Sequence, residues 1–525
     1  MSDVPAGSSG VPSVAVIGAG TMGAGIALVA AQAGHPVLLL DVRPDAAAAA
    51  VGALQAKLAT LAAKGRVDPD EASAASARLG AADAVADLAG CGVVVEAVAQ
   101  DLAVKRELFA DLEAVLAADA ILATNTSSLS VTAVAAHLQH PGRVVGLHFF
   151  NPADRMRLVE VVRGDSTDEA VVEAAVELAR SWGKTPVVCT STPGFIVNRV
   201  ARPYYGEAQR MVEEQVADPA TIDAVLREAG GFPLGPFELT DLVGQDVNLA
   251  VSKSVWDQTF HDPRYAPTVF QQRLVDAGRL GRKSGRGVFR YGPDGAATDA
   301  APRTEPPRPA PDRVVLNEWP GAPAFPVMGA FIQRVERGGV HVDRYEQDVE
   351  DCEDEEGRGI VLPGGALLLE LSGDSADDTW TGEEGGAVLL DWAHDPATCT
   401  RVALLASDDV SEQSLHAAVG LCQAAGVAVS VIGDAPGGIV ARTVSMIVNE
   451  AVELVGRREA SAEDVDVAMV LGTGYPAGPL GWAERLGDQV VEVLVALGDV
   501  HTTGRYRVSP RLSRRAGVGR SLRDG

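Results

Sequence analysis

Cysteine and positive charge are both scarce in this sequence, and each shortage argues against a class of protein. The cysteines show no Cys-x-x-Cys pair or Cys/His ligand spacing, so we expect reduced thiols and no structural metal site. The five are Cys91, Cys189, Cys352, Cys399 and Cys422. Only 44 Lys and Arg stand against 71 Asp and Glu, a net charge of −27. That balance argues against nucleic acid or an anionic membrane as partner.

Segments that direct a chain to or through a membrane are not apparent either. Residues 1–12 have neither a basic start nor an apolar core, unlike a signal peptide. No uncharged apolar run reaches the roughly 20 residues that span a bilayer. We therefore expect a cytoplasmic globular protein of about three or four domains, since 47% of its 525 residues are hydrophobic.

A glycine fingerprint follows the first strand-like run. Val14–Ile17 leads directly into a Gly-x-Gly-x-x-Gly sequence, and an alanine-rich helical pattern comes next. Here Gly18 permits a tight turn, Gly20 lets the backbone approach a pyrophosphate, and Gly23 allows close helix–strand packing. The predicted phosphate-binding set is Gly18, Ala19, Gly20, Thr21, Met22 and Gly23.

Asp41, at the end of the second strand, indicates which dinucleotide is bound. It follows the glycines by about 20 residues, the spacing of a ribose-binding carboxylate. An acid there favours a free 2′-hydroxyl and hence NAD. Arg43 is close enough to accept a 2′-phosphate instead, but NAD is our prediction.

Alternating strands and helices continue to Val188 and predict one doubly wound α/β domain. The strand Ile121–Asn125 leads into Thr126, Ser127 and Ser128, at the sheet edge where ligands of open α/β sheets bind. The predicted helix Pro44–Lys64 carries Lys57 and Lys64 two turns apart on one face. From spacing alone, a role in ligand binding and the ordinary state of two solvated surface lysines are equally good interpretations.

Two further β-rich runs carry a histidine and an acid. Val144–Phe150 holds His148 near its end, and Met156–Val162, with Glu160, follows after a short turn. Neighbouring strands joined this way can bring Glu160 against the imidazole, where a carboxylate would fix the tautomer of a general base. A core histidine with a satisfied hydrogen bond is the alternative.

From residue 191 the pattern is mainly helical, and this helical part occurs twice. Residues 192–199 recur as 435–442, residues 231–237 as 474–480, and residues 264–268 as 505–510. The conserved order and spacing indicate a duplication. Ala441 stands where Asn198 stands in the first copy, and a methyl group cannot orient a polar ligand. We therefore expect the second copy to be structural.

Five segments follow from these patterns. We expect an NAD-binding domain over 1–190, a helical domain over 191–292, and a Pro/Gly/Ala-rich linker over 293–325. A small α/β domain without a glycine fingerprint occupies 326–433, and the second helical copy occupies 434–525. The acidic run Asp343–Glu356 is interpreted as a solvated loop.

Residues 14–291 resemble the L-3-hydroxyacyl-CoA dehydrogenase family, and the second helical copy resembles the duplicated C-terminal domain of its longer bacterial members. The motifs that carry the resemblance are Thr-Asn-Thr-Ser-Ser-Leu at 124–129, Gly-Leu-His-Phe-Phe-Asn-Pro at 146–152, Leu-Val-Glu-Val-Val at 158–162 and Pro-Gly-Phe-Ile-Val-Asn-Arg at 193–199. It implies a Rossmann-like dinucleotide-binding domain followed by an all-α domain, a small α/β segment and a second α copy.

The resemblance also implies a role for each matching residue. His148 becomes the catalytic base and Glu160 its partner, while Ser127 and Asn198 position the substrate. Beyond the glycine loop, the implied NAD contacts are Asp41, Ala97, Gln100, Lys105, Ser127 and Lys283. The implied substrate contacts are Lys57, Lys64, Ser127, Asn151 and Asn198, with the two lysines near the CoA phosphates. Gln100 departs from the family, which often has glutamate there, and this leaves its contact open.

The implied reaction is the reversible, NAD-dependent oxidation of an L-3-hydroxyacyl-CoA thioester, as in β-oxidation or phenylacetate catabolism. 3-Hydroxybutyryl-CoA and 3-hydroxyadipyl-CoA are both compatible substrates. A dehydrogenase of a free, sugar-acid-type hydroxy acid and a non-catalytic, crystallin-like relative are the alternatives. Helical domains of single-copy members pair between subunits, so the resemblance implies an internal pseudo-dimer here. It leaves further association into a homo-oligomer open.

Overall fold

A computed structural model describes residues 11–318, 326–346, 359–379 and 385–523 of the chain. The strands, in chain order, are β1 Val14–Ile17, β2 Val37–Leu40, β3 Leu79–Ala81, β4 Val93–Glu96, β5 Ile121–Thr124, β6 Val144–Phe149, β7 Leu158–Arg163, β8 Thr185–Thr190, β9 Arg313–Glu318, β10 His341–Glu346, β11 Gly359–Val361, β12 Leu367–Glu370, β13 Ala387–Leu390, β14 Arg401–Ala406 and β15 Ala428–Val431.

The helices, in the same order, are α1 Thr21–Gln32, α2 Ala46–Ala63, α3 Pro69–Ala77, α4 Leu102–Val115, α5 Val131–Ala135, α6 Glu169–Ser181, α7 Val197–Val200, α8 Arg202–Glu213, α9 Pro219–Glu228, α10 Pro236–Val243, α11 Gln245–Gln258, α12 Val269–Asp276, α13 Pro326–Arg337, α14 Ala376–Thr379, α15 Glu412–Ala424, α16 Val440–Gly456, α17 Ala462–Thr473, α18 Pro479–Val500 and α19 Pro510–Arg515. The chain divides into two compact units. The first is Met1–Arg199 with Arg457–Thr473, and the second is Val200–Gly456 with Gly474–Gly525.

The first unit is built on an eight-stranded sheet of order β3-β2-β1-β4-β5-β6-β7-β8. Neighbouring strands are parallel except β6 and β7, which are antiparallel. Strands β1 and β4 are fully buried, and strands covered on both faces need nearly continuous apolar residues, which explains the runs Val-Ala-Val-Ile and Val-Val-Val. The predicted doubly wound domain is confirmed. Helix α3 and strand β3 were not predicted, because a three-residue strand after an Ala/Ser-rich stretch has no periodic signal.

Among the described residues, one helix, α2, is long and apolar enough to cross a membrane by length and composition alone. Its apolar residues Val51, Leu54 and Leu58 are instead buried in the core of the first unit. Helix α2 packs there against α3 and β3. Its remaining surface is mainly alanine, which explains the high apolar content of a helix that lies at the surface.

The second unit contains a seven-stranded mixed sheet of order β10-β9-β11-β12-β13-β14-β15. Strand β9 lies inside the predicted linker 293–325, so that expectation is wrong for residues 313–318, where the run Arg-Val-Val-Leu-Asn-Glu pairs with β10 and β11. The interpretation of the acidic run Asp343–Glu356 as a loop is wrong for residues 343–346, which belong to β10. The rest of that run lies outside the described residues.

The two helical copies contact each other within the second unit. Helix α8 of the first copy packs against α16 of the second. Glu207 on α8 accepts hydrogen bonds from Arg505 Nε at 2.9 Å and from Tyr506 Oη at 2.8 Å. In the reverse direction Glu450 on α16 accepts from Tyr265 Oη at 2.5 Å. Each repeated Arg-Tyr motif therefore binds an acid of the other copy.

Helix α17 belongs to the second copy in sequence but to the first unit in space. It packs against β7 and β8 of the eight-stranded sheet. An added Cβ at Gly472 of α17 would lie 2.7 Å from Leu158 and 3.1 Å from Val197, so glycine permits close packing there. The predicted segment 434–525 is thus divided between the two units, and the other predicted boundaries stay predictions.

Candidate active site

The glycine loop connects β1 to α1 in the first unit. Gly18 has a φ of +104°, and an added Cβ would lie 2.5 Å from the carbonyl oxygen of Ala97. At Gly23 an added Cβ would lie 1.8 Å from the Gly18 carbonyl oxygen. Nothing lies within 4 Å of the corresponding position at Gly20, which faces open space. Two glycines therefore permit close packing, and the third leaves room for a ligand.

These residues fit the pyrophosphate of a dinucleotide. Helix α1 begins at Thr21, with Met22 next, and its N-cap Gly20 offers no side-chain hydrogen bond. The first backbone N–H groups of a helix then remain available to an anion, which the helix dipole also favours. Ala97 is tied to β1, since its N–H donates to the Ile17 carbonyl at 2.7 Å.

Asp41 lies at the end of β2 beside this loop. Its Oδ2 accepts a hydrogen bond from Ala19 N at 2.7 Å. Arg43 donates from Nε to Oδ1 at 2.9 Å and from Nη2 to Oδ2 at 3.0 Å. The Arg43 hydrogen bond holds the pKa of the Asp41 carboxyl well below its usual range, so Asp41 is an anion near neutral pH. The exposed Arg43 is thus held by Asp41.

Lys105, an implied cofactor contact, is completely buried and forms an ion pair with Glu96 at the end of β4. Glu96 also accepts hydrogen bonds from Thr124 Oγ1 and Val98 N, each at 2.6 Å. Burial lowers the pKa of Lys105, and the carboxylate of Glu96 opposes that shift. Glu96 therefore joins the ends of β4 and β5, and Lys105 supplies its counter-charge. Sequence reasoning missed Glu96, although a single acid closing the run Val-Val-Val-Glu was a usable signal.

Gln100 and Lys283 are both exposed. Gln100 Oε1 accepts a hydrogen bond from Thr126 Oγ1 at 2.7 Å, which connects the loops after β4 and β5. In the second unit, Lys283 Nζ donates to Asp246 Oδ1 at 2.6 Å. The loop that carries Lys283 is anchored by buried Asp241, which accepts from Val288 N and Phe289 N, each at 3.0 Å.

His148 and Glu160 are direct partners in the pairing of β6 with β7. Nδ1 of the ring lies 2.6 Å from Oε2 of the acid. Glu160 is fully buried and His148 is 6% exposed. The ring of Phe150 lies 4.6 Å from the imidazole, centroid to centroid. With Nδ1 bound to the carboxylate, Nε2 is the ring nitrogen that carries the free electron pair of a neutral histidine.

The other oxygen of Glu160 holds the turn that follows β8. Oε1 accepts hydrogen bonds from Ile196 N at 3.0 Å and from Val197 N at 2.9 Å. Gly194 has a φ of +79°, and Phe195 also has a positive φ of 49°. This tight turn directs both N–H groups at the carboxylate, which connects the histidine to the turn that carries Asn198.

Asn198 and Ser127 lie together. Asn198 Nδ2 donates to the backbone carbonyl of Ser127 at 3.4 Å. The neighbouring Asn125 accepts a hydrogen bond from Phe149 N at 2.8 Å and so fixes the end of β6 against the loop after β5. Hydrogen bonds within the first unit therefore connect the segments that carry the predicted set His148, Glu160, Ser127 and Asn198.

Of the three other implied substrate contacts, one already has an acidic partner. Lys57 Nζ donates to Asp154 Oδ2 at 2.7 Å. Burial acts to raise the pKa of Asp154, but the hydrogen bond and charge of Lys57, together with a backbone hydrogen bond and the charge of Arg155, lower it below its ordinary value. Lys64, the C-cap of α2, and Asn151, next to a cis peptide with Pro152, are exposed.

A carboxylate from the preceding α/β segment binds the start of the repeated helix α16 in the second copy. Buried Asp391, just after β13, accepts hydrogen bonds from Ile439 N at 2.9 Å and Val440 N at 2.8 Å. Ala441 N, at the position that matches Asn198, also donates to it at 3.2 Å. Burial raises the pKa of Asp391 to about 6 against these bonds. No cluster of three or more His, Cys, Asp or Glu that could hold a metal occurs in the described part of the chain.

Three family models match the chain. The one described as 3-hydroxyacyl-CoA dehydrogenase, NAD binding domain, matches residues 13–192. The C-terminal domain of the same family matches twice, at 194–291 and 437–524, which confirms the duplication. A 3-hydroxybutyryl-CoA dehydrogenase reduced Rossmann-fold domain matches residues 371–436.

Individual relatives belong to the same family as these models. The chain is 40% identical to a 3-hydroxyadipyl-CoA dehydrogenase of Escherichia coli (strain K12), over 96% of this chain and 98% of that one. It is 40% identical to a probable 3-hydroxybutyryl-CoA dehydrogenase of Bacillus subtilis (strain 168), over 54% of this chain and 98% of the relative. The crystal structure of 3-hydroxybutyryl-CoA dehydrogenase from Escherichia coli K12 matches with a TM-score of 0.81 and 39% identity, over 97% of this chain and 99% of that chain. The chain belongs to the 3-hydroxyacyl-CoA dehydrogenase family and is an NAD-dependent oxidoreductase.

Proposed function

We propose that the chain interconverts a short-chain L-3-hydroxyacyl-CoA and its 3-oxoacyl-CoA, with His148 as general base and Glu160 as its partner. The 2.6 Å contact between His148 Nδ1 and Glu160 Oε2 carries this proposal. The carboxylate keeps the proton of the neutral ring on Nδ1. Nε2 is then free to take a proton, as a general base requires.

In oxidation, Nε2 of His148 removes the proton of the 3-hydroxyl group while the hydride leaves carbon 3. NAD, when bound, accepts that hydride. The imidazolium formed in this step is stabilised by the carboxylate of Glu160, whose other oxygen accepts two backbone hydrogen bonds. In reduction, the same imidazolium returns its proton to the 3-oxo oxygen.

Ser127 and Asn198 orient the substrate in this proposal. Their side chains belong to two segments joined by the contact between Asn198 Nδ2 and the Ser127 carbonyl. A hydroxyl and an amide can bind the 3-oxygen and the thioester carbonyl, which holds carbon 3 in a reactive orientation. Lys57 and Lys64 are the proposed contacts of the CoA phosphates, and Lys57 would exchange Asp154 for a phosphate.

The assignment to CoA thioesters is tested by assaying one preparation with acetoacetyl-CoA, with 3-oxoadipyl-CoA and with a free 3-oxo acid. We expect turnover of thioesters and at least 100-fold lower kcat/KM for the free acid. The relatives carry names of both the hydroxybutyryl and the hydroxyadipyl type, so the ratio of the two thioesters identifies the acyl class. Efficient turnover of the free acid alone would contradict the proposal, and no turnover of any substrate would favour a structural relative.

We further propose one active site per chain and an internal pseudo-dimer. The reciprocal contacts of Glu207 with Tyr506 and of Glu450 with Tyr265 support the pairing of the two helical copies. Ala441 supports a non-catalytic second copy. Its backbone N–H donates a hydrogen bond to Asp391, and its methyl side chain cannot bind a polar group of a substrate. Calorimetric titration should give one NAD per chain, and two would contradict this part of the proposal.

A further inference from the structure

We infer that Glu459, a residue of the second copy, is a positioning residue for the active site of the first. This inference rests on the proposed roles of His148 and Glu160. Glu459 lies just before α17, in the part of the second copy that belongs to the first unit. Its hydrogen bonds are to Thr190, Thr192 and Arg199, and not to His148 or Glu160, in the part of the chain that the structure describes. It acts through residues 193–198, which comprise the turn after β8 and the first two residues of α7 and are called the turn below.

The Glu459 carboxylate binds both ends of this turn. Its Oε2 accepts a hydrogen bond from Thr192 Oγ1 at 3.0 Å, just before the turn. The same oxygen accepts from Arg199 Nη1, just after the turn. The side chains of Arg199 and Glu459 are 3% and 11% exposed. Losing one partner of a buried ion pair leaves the other charge without compensation, so the flanks of the turn would relax.

The backbone beside Glu459 is also attached to the catalytic sheet. Its carbonyl accepts a hydrogen bond from Thr190 N, at the end of β8, at 2.8 Å. The next residue, Ala460, forms an antiparallel bridge with Cys189. The carboxylate is thus held at a fixed distance from the strand that precedes the turn.

The position of this turn determines the position of the proposed catalytic groups. Its two N–H groups, from Ile196 and Val197, bind Glu160 Oε1. Its last residue is Asn198. A shift of the turn would therefore alter both the carboxylate that orients His148 and the amide proposed to hold the substrate. Displacements of about 1 Å at such groups can cost about 100-fold in rate.

The duplication provides an internal comparison. Val216 of the first copy corresponds to Glu459, since each follows its repeated arginine, Arg199 or Arg442, by the same interval. The Val216 carbonyl accepts from Gly433 N at 2.8 Å, as the Glu459 carbonyl does from Thr190 N. The backbone contact is common to both copies, but the carboxylate occurs only beside the catalytic turn. Arg442 binds Glu207 and Glu214 instead.

The test compares Glu459→Ala and Glu459→Gln with Glu463→Gln, a control at an exposed acid in the first turn of α17, the helix that follows Glu459. For each variant, kcat, KM for NAD and for acetoacetyl-CoA, and the pH profile of kcat/KM in the oxidation direction are measured. We expect Glu459→Ala to lower kcat by about 10- to 100-fold and to move the acidic limb to lower pH, with KM for NAD unchanged. Glu459→Gln, which can still accept from Thr192, should lie between it and the wild type, and Glu463→Gln should match the wild type.

An unchanged kcat and acidic limb in Glu459→Ala would overturn the inference. If that variant does not fold, as judged by circular dichroism, the acidic limb of Glu459→Gln decides in the same way. His148→Gln is assayed in parallel to distinguish a failure of the proposed function from a failure of the inference about Glu459. If His148→Gln remains active, the proposed function fails. If it is inactive while the Glu459 variants behave as wild type, only the inference fails.

Discussion

His148 and Glu160 are cross-strand neighbours on the one antiparallel pair of the eight-stranded sheet, and their side chains meet at 2.6 Å. Antiparallel pairing places the two Cβ atoms opposite each other on the same face. The orientation of the base therefore depends on strand register and not on a mobile loop. A change at either residue should alter the chemical step without disturbing the glycine loop.

We expect His148→Gln to lower kcat by about 100- to 10,000-fold, since that is the usual cost of removing a general base. The dissociation constant of NAD should stay within about twofold of wild type, because the glycine loop follows β1, and β4 and β5 separate that strand from β6 in the sheet. Steady-state kinetics and fluorescence titration with NAD measure the two effects. A variant that retains half of its kcat would exclude His148 as the base.

Glu160→Gln should lower kcat and move the acidic limb of the pH–rate profile for oxidation to lower pH. An amide cannot stabilise the imidazolium by charge, so the ring would lose its proton at lower pH. Glu169→Gln is the matched control, because Glu169 is an acid in an exposed ion pair with Arg163. If the limb stays in place in Glu160→Gln, the contact has no role in the titration of the base.

NAD should be preferred over NADP because a 2′-phosphate would meet the charge of Asp41. Asp41→Ala should lower the ratio of kcat/KM for NAD to kcat/KM for NADP, because it removes that repulsion and frees Arg43 to bind the phosphate. Arg43→Ala should leave the use of NAD nearly unchanged and weaken the residual use of NADP. The measurement is kcat/KM with each cofactor for the three proteins. Equal values in the wild type would contradict this interpretation of Asp41.

Lys105→Ala should mainly destabilise the first unit. It leaves buried Glu96 without its counter-charge, which typically costs about 3–5 kcal/mol of folding free energy. Lys64→Ala, at an exposed lysine, should leave stability unchanged. Urea denaturation measures the loss, and calorimetry with NAD measures binding. Unchanged stability with weaker NAD binding would show that Lys105 acts on the cofactor directly.

Glu207→Gln should destabilise the second unit by about 3–5 kcal/mol at neutral pH, because it breaks a buried cluster with Arg442 and Arg505. Burial acts to raise the pKa of Glu207, but the two arginines hold it well below its ordinary 4.5. A lowered folded-state pKa gives stability above pH 4.5 that is lost as the pH falls towards the folded-state value.

The difference in the free energy of unfolding between wild type and Glu207→Gln should therefore be constant above about pH 5 and shrink towards pH 3. Urea denaturation at several pH values measures it. Glu450→Gln, in the reciprocal contact with Tyr265, serves as the matched variant. A difference between wild type and Glu207→Gln that does not change with pH would contradict the ionised state of Glu207.

The glycine loop and the His148–Glu160 pair could be predicted because both depend on short stretches of chain. The loop needs only a strand, three glycines and a helix in sequence. The pair needs two strands joined by a short connection, with a separation of 12 residues. Strand β9 escaped prediction because its pairing partners β10 and β11 come later in the chain and the stretch before it is rich in proline.

The burial of Lys105 and the place of Glu459 could not be predicted in the same way. An isolated lysine at the start of a helix usually remains in solvent, and only the position of Glu96 on β4 explains its burial. Glu459 lies 267 residues from Thr192 and 260 from Arg199. No periodicity or motif joins segments so far apart, since their contact depends on how α17 packs against β7 and β8.

Carrying both helical copies in one polypeptide removes a restriction that symmetry imposes on a homodimer. There, every substitution appears on both sides of the twofold axis, and an acid that suits one site is repeated at the other. Here Val216 and Glu459 are encoded separately and can diverge. A carboxylate can therefore be selected beside the catalytic turn while its counterpart beside Gly433 stays apolar.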